Sequence, residues 1–483
     1  MSLAPWPAAV WVAVGVGLRL LWPRAFLFRL DEAVHMEWAA RIARDGEWIT
    51  HAWPSSVGVP NGPVFAYWLG LFAKLSLSPL VGNLSVVLAN GLALAMSVPL
   101  FRRLLPERRM ADTAVALLAT SPVAIWFSRK IWDPCLLALF LVPALWLALR
   151  VLQSSGRSAA IAGIPVVLAL AVQVHQSAIF FGIVLLAIVA SAPRRIAWGW
   201  LSAGTVAGAA LLAPYLSHVI PLAMDGALRT DGGSPWPDVD VITNLLLDAS
   251  GHNIIQSAGP ETARLLLWPV PPLWLLVQLA AIPFYVYLFA GFAEAWRPRG
   301  PLPEGARRLI LGGALGLPAL YLVLRVRGVP HYFLAVLPLL FALIVLGARR
   351  LGARRPRWVL PLPVLLGVNA LSWMGFQSYM SWNRGSEYYG LPYGDVAKVA
   401  AEVAEEARAI GRGGEGGPFR LHVDVPRDRG DVPEQYRYLL ERRLGVDVEP
   451  VPADGQWDLS VKIRWPRPPG GEPWALVPAP PGG

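Results

Sequence analysis

The sequence predicts an α-helical polytopic membrane protein with a small α/β unit at its C-terminal end, on three observations. The 483 residues are 55% hydrophobic and only 15% charged, where soluble domains carry about 25% charged residues; the mean hydropathy is +0.48. Apolar runs of membrane-crossing length recur from residue 5 to residue 376. From Ser381 onward the composition turns polar, charged and glycine-rich. The formal charge of +10 could suggest a nucleic-acid partner. Its arginines, however, sit in short connectors between apolar runs, the pattern that orients membrane helices, so no nucleic acid is expected. Cys135 is the only cysteine, which excludes an intrachain disulfide framework and a thiolate metal cluster.

A spanning helix needs about 20 apolar residues. The runs near 5–22, 84–101, 111–127, 134–150, 159–174, 177–192, 198–216, 270–293, 309–324, 332–348 and 358–376 give about eleven spans. The first run lacks a basic leader and a small-residue cleavage site, so it is read as a retained span and not a signal peptide. Residues 62–80 are also apolar, and charge decides their place. The basic connectors are Arg102-Arg103 to Arg108-Arg109, Arg150 to Arg157, Arg194-Arg195, Arg297 to Arg308 and Arg349 to Arg357. All five share the face of the N-terminus only if 62–80 lies along the membrane surface, as Tyr67, Trp68 and Lys74 suit.

This threading expects a cytoplasmic N-terminus in a prokaryotic plasma (inner) membrane. Segments 23–83, 128–133, the turn at His175, 217–269, 325–331 and everything after about 377 then share the extracytoplasmic face. The chain divides into a membrane domain, 1–380, which includes the outer loops 23–83 and 217–269, and a soluble extracytoplasmic α/β domain, 381–483. In the latter, 395–410 and 434–443 are patterned as helices and 419–425 and 458–465 as strands. The Pro/Gly-rich end after Arg467 is expected to be disordered.

Polar residues that could carry chemistry collect on the outer face. Asp31-Glu32 opens an amphipathic stretch just after the first span. The pair has two readings: acids at a helix start, which satisfy free N–H groups and favour the dipole, or a general base whose basicity partial desolvation raises, with its neighbour orienting it or holding a cation. In Ser128-Arg129-Lys130-Ile131-Trp132-Asp133-Pro134, the cations either snorkel beside a helix start or hold a phosphate near the headgroups. His175, with Gln176 beside it, sits between two runs too closely spaced for a loop; it reads as a satisfied helix-end histidine, a metal ligand or a hydrogen-bond donor to substrate. Arg325, Arg327, His331 and Tyr332 form a second outer basic cluster, and with the acid pair suggest a site for an anionic lipid headgroup. No phosphate-binding glycine loop, H-E-x-x-H or G-x-S-x-G occurs, so no nucleotide cofactor, zinc-protease or serine-hydrolase chemistry is expected.

The order of these features carries a resemblance. A first span, the Asp31-Glu32 pair, Val59-Pro-Asn-Gly-Pro-Val-Phe-Ala-Tyr-Trp68, Ser128-Arg-Lys-Ile-Trp-Asp133 and His331-Tyr-Phe-Leu-Ala-Val-Leu-Pro338 together resemble the GT-C-type membrane glycosyltransferases of the protein O-mannosyltransferase and lipid A aminoarabinose transferase superfamily, over residues 5–380. The resemblance implies a polyprenyl-phosphate-sugar donor and inverting transfer of one sugar to an acceptor hydroxyl on a protein, lipid or envelope glycan. The catalytic acid of the first outer loop falls on Asp31, with Glu32 as partner. Arg129, Lys130, Arg325, Arg327, His331 and Tyr332 would hold the lipid phosphate, and Asp133, His175, Gln176 and Asn61 form a second-loop component. Some relatives place a metal-binding acid where this chain has Asn61. A divalent cation (Mg, Mn or Zn) therefore stays open, with Glu32, Asp133 and His175 as candidate ligands. Membrane lipids are the other partners; the acceptor is unspecified. A polyprenyl-linked glycan flippase or transporter, or a glycan ligase, is the alternative reading, though a transporter's polar residues should lie near mid-membrane.

Overall fold

The computed structural model describes residues 6–55, 58–225, 237–256, 265, 271–354, 361–385, 390–411, 417–424, 434–451, 457–463, 472 and 474–478. Helices run α1 (Ala8–Leu20), α2 (Leu30–Arg44), α3 (Val64–Ala73), α4 (Pro79–Leu104), α5 (Arg108–Thr120), α6 (Pro122–Phe127), α7 (Ala138–Gln153), α8 (Gly163–Val174), α9 (Ala178–Ala190) and α10 (Trp198–Met224). After them come α11 (Asp240–Ser250), α12 (Asn253–Gln256), α13 (Pro271–Ala295), α14 (Glu304–Leu324), α15 (Leu337–Arg354), α16 (Pro361–Asn383) and α17 (Tyr393–Ala409).

Helices stand at each place where a span is expected. Among the described residues, four are long and apolar enough to cross a membrane: Pro79–Leu104, Trp198–Met224, Leu275–Ala295 and Glu304–Leu324. Shorter apolar helices at Ala8–Leu20, Ala138–Gln153, Ala159–Val174 and Ala178–Ala190 do not by length alone establish a crossing, so the count of eleven is not fixed by the fold. Helix α3, at 10 residues, rises about 15 Å, half a hydrocarbon core. It packs on α2, with the Tyr67 hydroxyl donating to the Ile49 carbonyl at 2.9 Å.

The outer surface of the bundle is apolar where a soluble protein would be charged. Val206, Leu211, Leu216 and Ile220 of α10 are all exposed, as a lipid-facing helix requires. Helix α10 touches its neighbour through Gly204 and Gly208, where a Cβ would collide with the Ala162 and Pro165 carbonyls. Small residues four apart let membrane helices approach this closely.

The helix connections fall into two groups at opposite ends. At one end Arg349 pairs with Glu107 (2.8 Å), Arg308 with Glu304 and the Ser191 carbonyl, and Arg350 with Glu294 (3.8 Å). These are the arginine-rich connectors grouped by charge. At the other end the loops around α2 and α3 meet residues 128–133, 175–177, 390–394 and 438–443. Tyr393 N donates to the Phe26 carbonyl, Tyr438 Oη to the Leu77 carbonyl, and Arg442 grips Glu37 with two hydrogen bonds. On the same side Asn244 Nδ2 donates to the Gly328 carbonyl at 2.8 Å, tying α11 to segment 325–331.

The C-terminal chain forms a four-stranded sheet of order β2-β1-β3-β4, with β1 (Phe419–Asp424), β2 (Val448–Pro450), β3 (Leu459–Ile463) and β4 (Trp474–Pro478). β1 runs parallel to β2 and β3, and β4 antiparallel to β3. The expected helices are present as α17 and as α18 (Glu434–Tyr438), which continues into a π-turn over Leu439–Leu444. One expectation is corrected. Disorder was expected throughout the end after Arg467, yet Trp474–Pro478 pairs with Leu459–Ile463 along its whole length, and Trp474 is buried. The apolar residues of Trp-Ala-Leu-Val are enough to make a strand, and the flanking Pro and Gly hid that pattern. The remainder of that end lies outside the described residues.

Candidate active site

Helix α2 starts where the sequence places acids at a helix N-terminus. Glu32 is its third residue, and its Oε2 accepts from the Arg29 N–H at 3.0 Å, half of a capping box. The helix-start reading therefore holds for Glu32, which is buried, whereas Asp31 beside it is exposed. Burial, opposed by Lys130 and reinforced by Asp31, pushes the Glu32 carboxyl above the usual range. The buried face of α2 reads Glu32, Ala33, His35, Met36, Ala39, Ala40, a helical stripe. That stripe delivers His35 to the interior.

His35 Nε2 forms an ion pair with Asp133 Oδ1, and Asn61 Nδ2 donates to Asp133 Oδ2. All three side chains are at least nine-tenths buried. Burial alone would lower the His35 pKa, but Asp133 outweighs it and raises the group above the ordinary histidine range. In return His35 overcomes burial and holds Asp133 below the usual carboxylate range, helped by His175. Each partner thus favours the charged form of the other.

Packing fixes each partner. Asp133 opens a 3-10 turn with Pro134 next to it. That turn is anchored to α4 by Asn83, which donates to the Arg129 carbonyl (2.6 Å), and by Asn90, which donates to the Cys135 carbonyl (2.8 Å). Asn61 is placed by pairing of the 52–61 loop (Ala52 N to Asn61 O, 2.8 Å) and by Tyr215 Oη donating to the Pro60 carbonyl. Gly62 has no room for a side chain, since a Cβ would stand 2.6 Å from the Gln173 carbonyl. The loop can therefore press on the end of α8.

His175 caps that helix. Its Nδ1 accepts from the Ser177 N–H at 3.2 Å and faces the Ser177 hydroxyl at 2.8 Å. Burial, partly offset by Asp133, keeps the ring neutral, so its proton sits on Nε2. The His331 ring lies 5.6 Å from His175 and 4.5 Å from Trp132. Desolvation, with His175 and Lys130 adding, pushes His331 well below the ordinary range. Tyr332 packs against both rings, tilted to His175 and edge-on to His331. Lys130 is half-buried with its Nζ 4.4 Å from the Trp132 ring, and forms no ion pair among the described residues. Gln176 donates to Ser55 at 2.6 Å on the edge of the group.

The structure thus brings Glu32, Asn61, Lys130, Asp133, His175, His331 and Tyr332 together, with Asp31 exposed beside Glu32. Arg129 has other partners: its guanidinium donates to the Trp22 carbonyl at 2.6 Å and lies over Trp373. Trp22 adopts a left-handed backbone (φ 49°), so Arg129 braces the chain reversal between α1 and α2. Arg325 is an exposed left-handed helix cap, and Arg327, also exposed, lies in the field of Tyr332. His35 is the member the sequence reading did not single out. Its position one turn after Asp31, on the face of Glu32, was the available signal.

No three His, Cys, Asp or Glu side chains among the described residues converge on one point, because Asp133 directs both oxygens at His35 and Asn61.

No family model and no curated protein matches this chain. Among solved structures it is similar to ArnT from Cupriavidus metallidurans bound to undecaprenyl phosphate, with 13% identity, 94% of this chain and 92% of that one covered, and a TM-score of 0.55. The apo state of the same protein gives 14% identity, the same coverage and a TM-score of 0.56. The Archaeoglobus fulgidus oligosaccharyltransferase in complex with Zn and sulfate gives 13%, 94% of this chain and 67% of that one, and 0.51. At this identity the likeness shows a shared fold. The GT-C-type architecture is the fold of this chain.

Proposed function

We propose that this integral membrane protein is a glycosyltransferase that moves one sugar from a polyprenyl-phosphate carrier to an acceptor hydroxyl at the extracytoplasmic leaflet. The observation that carries the reading is an exposed carboxylate, Asp31, beside a buried polar cluster that includes an ammonium, Lys130, with no ion pair among the described residues. The fold is shared with ArnT, whose solved structure holds undecaprenyl phosphate. The arginine-bearing end faces the cytoplasm by the positive-inside rule, about eleven helices or helix pairs cross the bilayer, and residues 381–483 form an extracytoplasmic domain.

In this reading Asp31 takes the proton of the acceptor hydroxyl, whose oxygen bonds to the anomeric carbon from the face opposite the phosphate. The bond from that carbon to the phosphate oxygen breaks, and its electron pair leaves with the phosphate, giving inversion. A phosphate leaves without a strong general acid. Lys130 and the His175 Nε2–H, with His331 and Tyr332 lining the wall, meet the developing charge. Glu32 positions Asp31 by locking the helix start, and the His35–Asp133–Asn61 group holds the first and second outer loops in register.

The test is a panel of radiolabelled polyprenyl-phosphate sugars incubated with the purified protein. Label released or transferred from a monophosphate carrier supports the reading. Turnover confined to pyrophosphate-linked glycans, and dependent on Arg327 but not Asp31, would support the ligase instead.

A further inference from the structure

A cleft of about 270 Å³, open to solvent, lies between the C-terminal segment and the first outer loop, and Arg24, Ser78, Leu80, Tyr393 and Arg443 line it. The transfer reaction uses none of these residues. Arg24 and Arg443 are exposed, and neither forms an ion pair among the described residues. The Tyr393 hydroxyl stands 3.3 Å from Ser78 Oγ and 3.4 Å from Arg443 Nη1, so two hydroxyls and a guanidinium share one wall. Of the acids nearest in the chain, Asp395 faces Arg384 at 3.8 Å and Glu441 lies in the field of Arg437 and Arg442. Two cations and two hydroxyls without a carboxylate in the lining recognise an oxyanion.

The surroundings say which oxyanion. Ser78 immediately precedes the crossing helix Pro79–Leu104, and Arg24 follows the end of Ala8–Leu20, so the cleft sits at headgroup depth. Leu80 lines the cleft, and Leu84, Leu88 and Leu92 continue the same helix face at 37%, 48% and 46% exposure. Residues four apart lie one above the other on a helix, so an apolar track runs from the cleft along α4. A soluble anion has no use for that track; an acyl chain fits it.

We infer that the cleft binds the phosphate of an anionic glycerophospholipid, with an acyl chain along Leu84, Leu88 and Leu92, and that this lipid ties the C-terminal segment to the first outer loop. Delipidated full-length protein in neutral detergent would be titrated with phosphatidylglycerol, phosphatidylcholine or inorganic phosphate. Thermal unfolding and native mass spectrometry would be the readouts. Phosphatidylglycerol is expected to raise the unfolding midpoint and leave a one-lipid adduct, and phosphatidylcholine to do so far less. Arg24→Gln/Arg443→Gln should weaken phosphatidylglycerol binding by about tenfold or more, and the single Arg443→Gln variant serves if the double variant does not fold. Leu84→Ser/Leu88→Ser should weaken lipid binding through the track alone. Equal stabilisation by inorganic phosphate would make this a free-anion site and overturn the lipid assignment. Undiminished phosphatidylglycerol binding by the arginine variants, or no binding at all, would overturn the site.

Discussion

The two ends of the helix bundle carry similar residue types and use them in opposite ways. At the arginine-rich end, ion pairs such as Arg349–Glu107 lie at the surface, with 37% and 52% of their side chains exposed. At the other end His35 and Asp133 are 3% and 4% exposed and share a third partner, Asn61. Exposed pairs are screened and contribute little. A buried pair costs several kcal/mol of desolvation, and removing one partner strands the other. Charge at one end lies at the surface; charge at the other is buried at an energetic cost beside an exposed carboxylate. The proposed reaction is placed at the second end because of that asymmetry.

The largest expected effect is on transfer. Asp31→Asn removes the base without disturbing the Glu32 cap, and transfer should fall roughly 10²- to 10⁴-fold while the unfolding midpoint is kept. A variant that transfers at the wild-type rate would remove Asp31 from the reaction.

Next comes the buried pair. His35→Ala leaves Asp133 without its cation and should destabilise the fold by about 3–5 kcal/mol, read by thermal unfolding in detergent. The same pair sets a pH dependence. His35 is raised, so its contribution is complete below the ordinary histidine range and is lost as pH rises through the raised value. Asp133 is lowered, so its contribution is present above the ordinary carboxylate range and is lost as pH falls through the depressed value. Stability should therefore be greatest between the ordinary carboxylate and histidine ranges and decline as pH rises above the histidine range. In His35→Gln the alkaline decline should disappear; if it persists, another group is responsible.

Lys130→Gln should raise the KM for the donor by about tenfold to a hundredfold, the scale of one charge-assisted contact to a phosphate, with less effect on stability. At the opposite end Arg349→Ala should change stability by less than about 1 kcal/mol and leave transfer unaltered. A loss there as large as that of His35→Ala would break the comparison.

The sequence made one end of this contrast easy to read and the other only partly so. Connector arginines are counted directly, and the grouping they imply is the grouping of loops in the structure. Asp31-Glu32 stood out because an adjacent acid pair after an apolar run is rare and costly. His35 did not stand out, because a single histidine in an amphipathic stretch looks like a surface residue until its helix face is known. The Asn61–Asp133 bond joins residues 72 positions apart, and no local pattern announces it. Arg129 and Lys130 look alike in sequence. What separates them is the left-handed Trp22, whose carbonyl takes one guanidinium and leaves the neighbouring ammonium facing the cluster. The strand at Trp474–Pro478 was hidden by its Pro and Gly flanks.

The most direct test of where the reaction occurs is photolabelling with an undecaprenyl phosphate analogue bearing a diazirine near the phosphate, followed by peptide mapping. Adducts should concentrate in residues 126–138 and 329–338, around Lys130 and His331. Adducts confined to residues 102–109 and 349–354, at the arginine-rich end, would contradict the account.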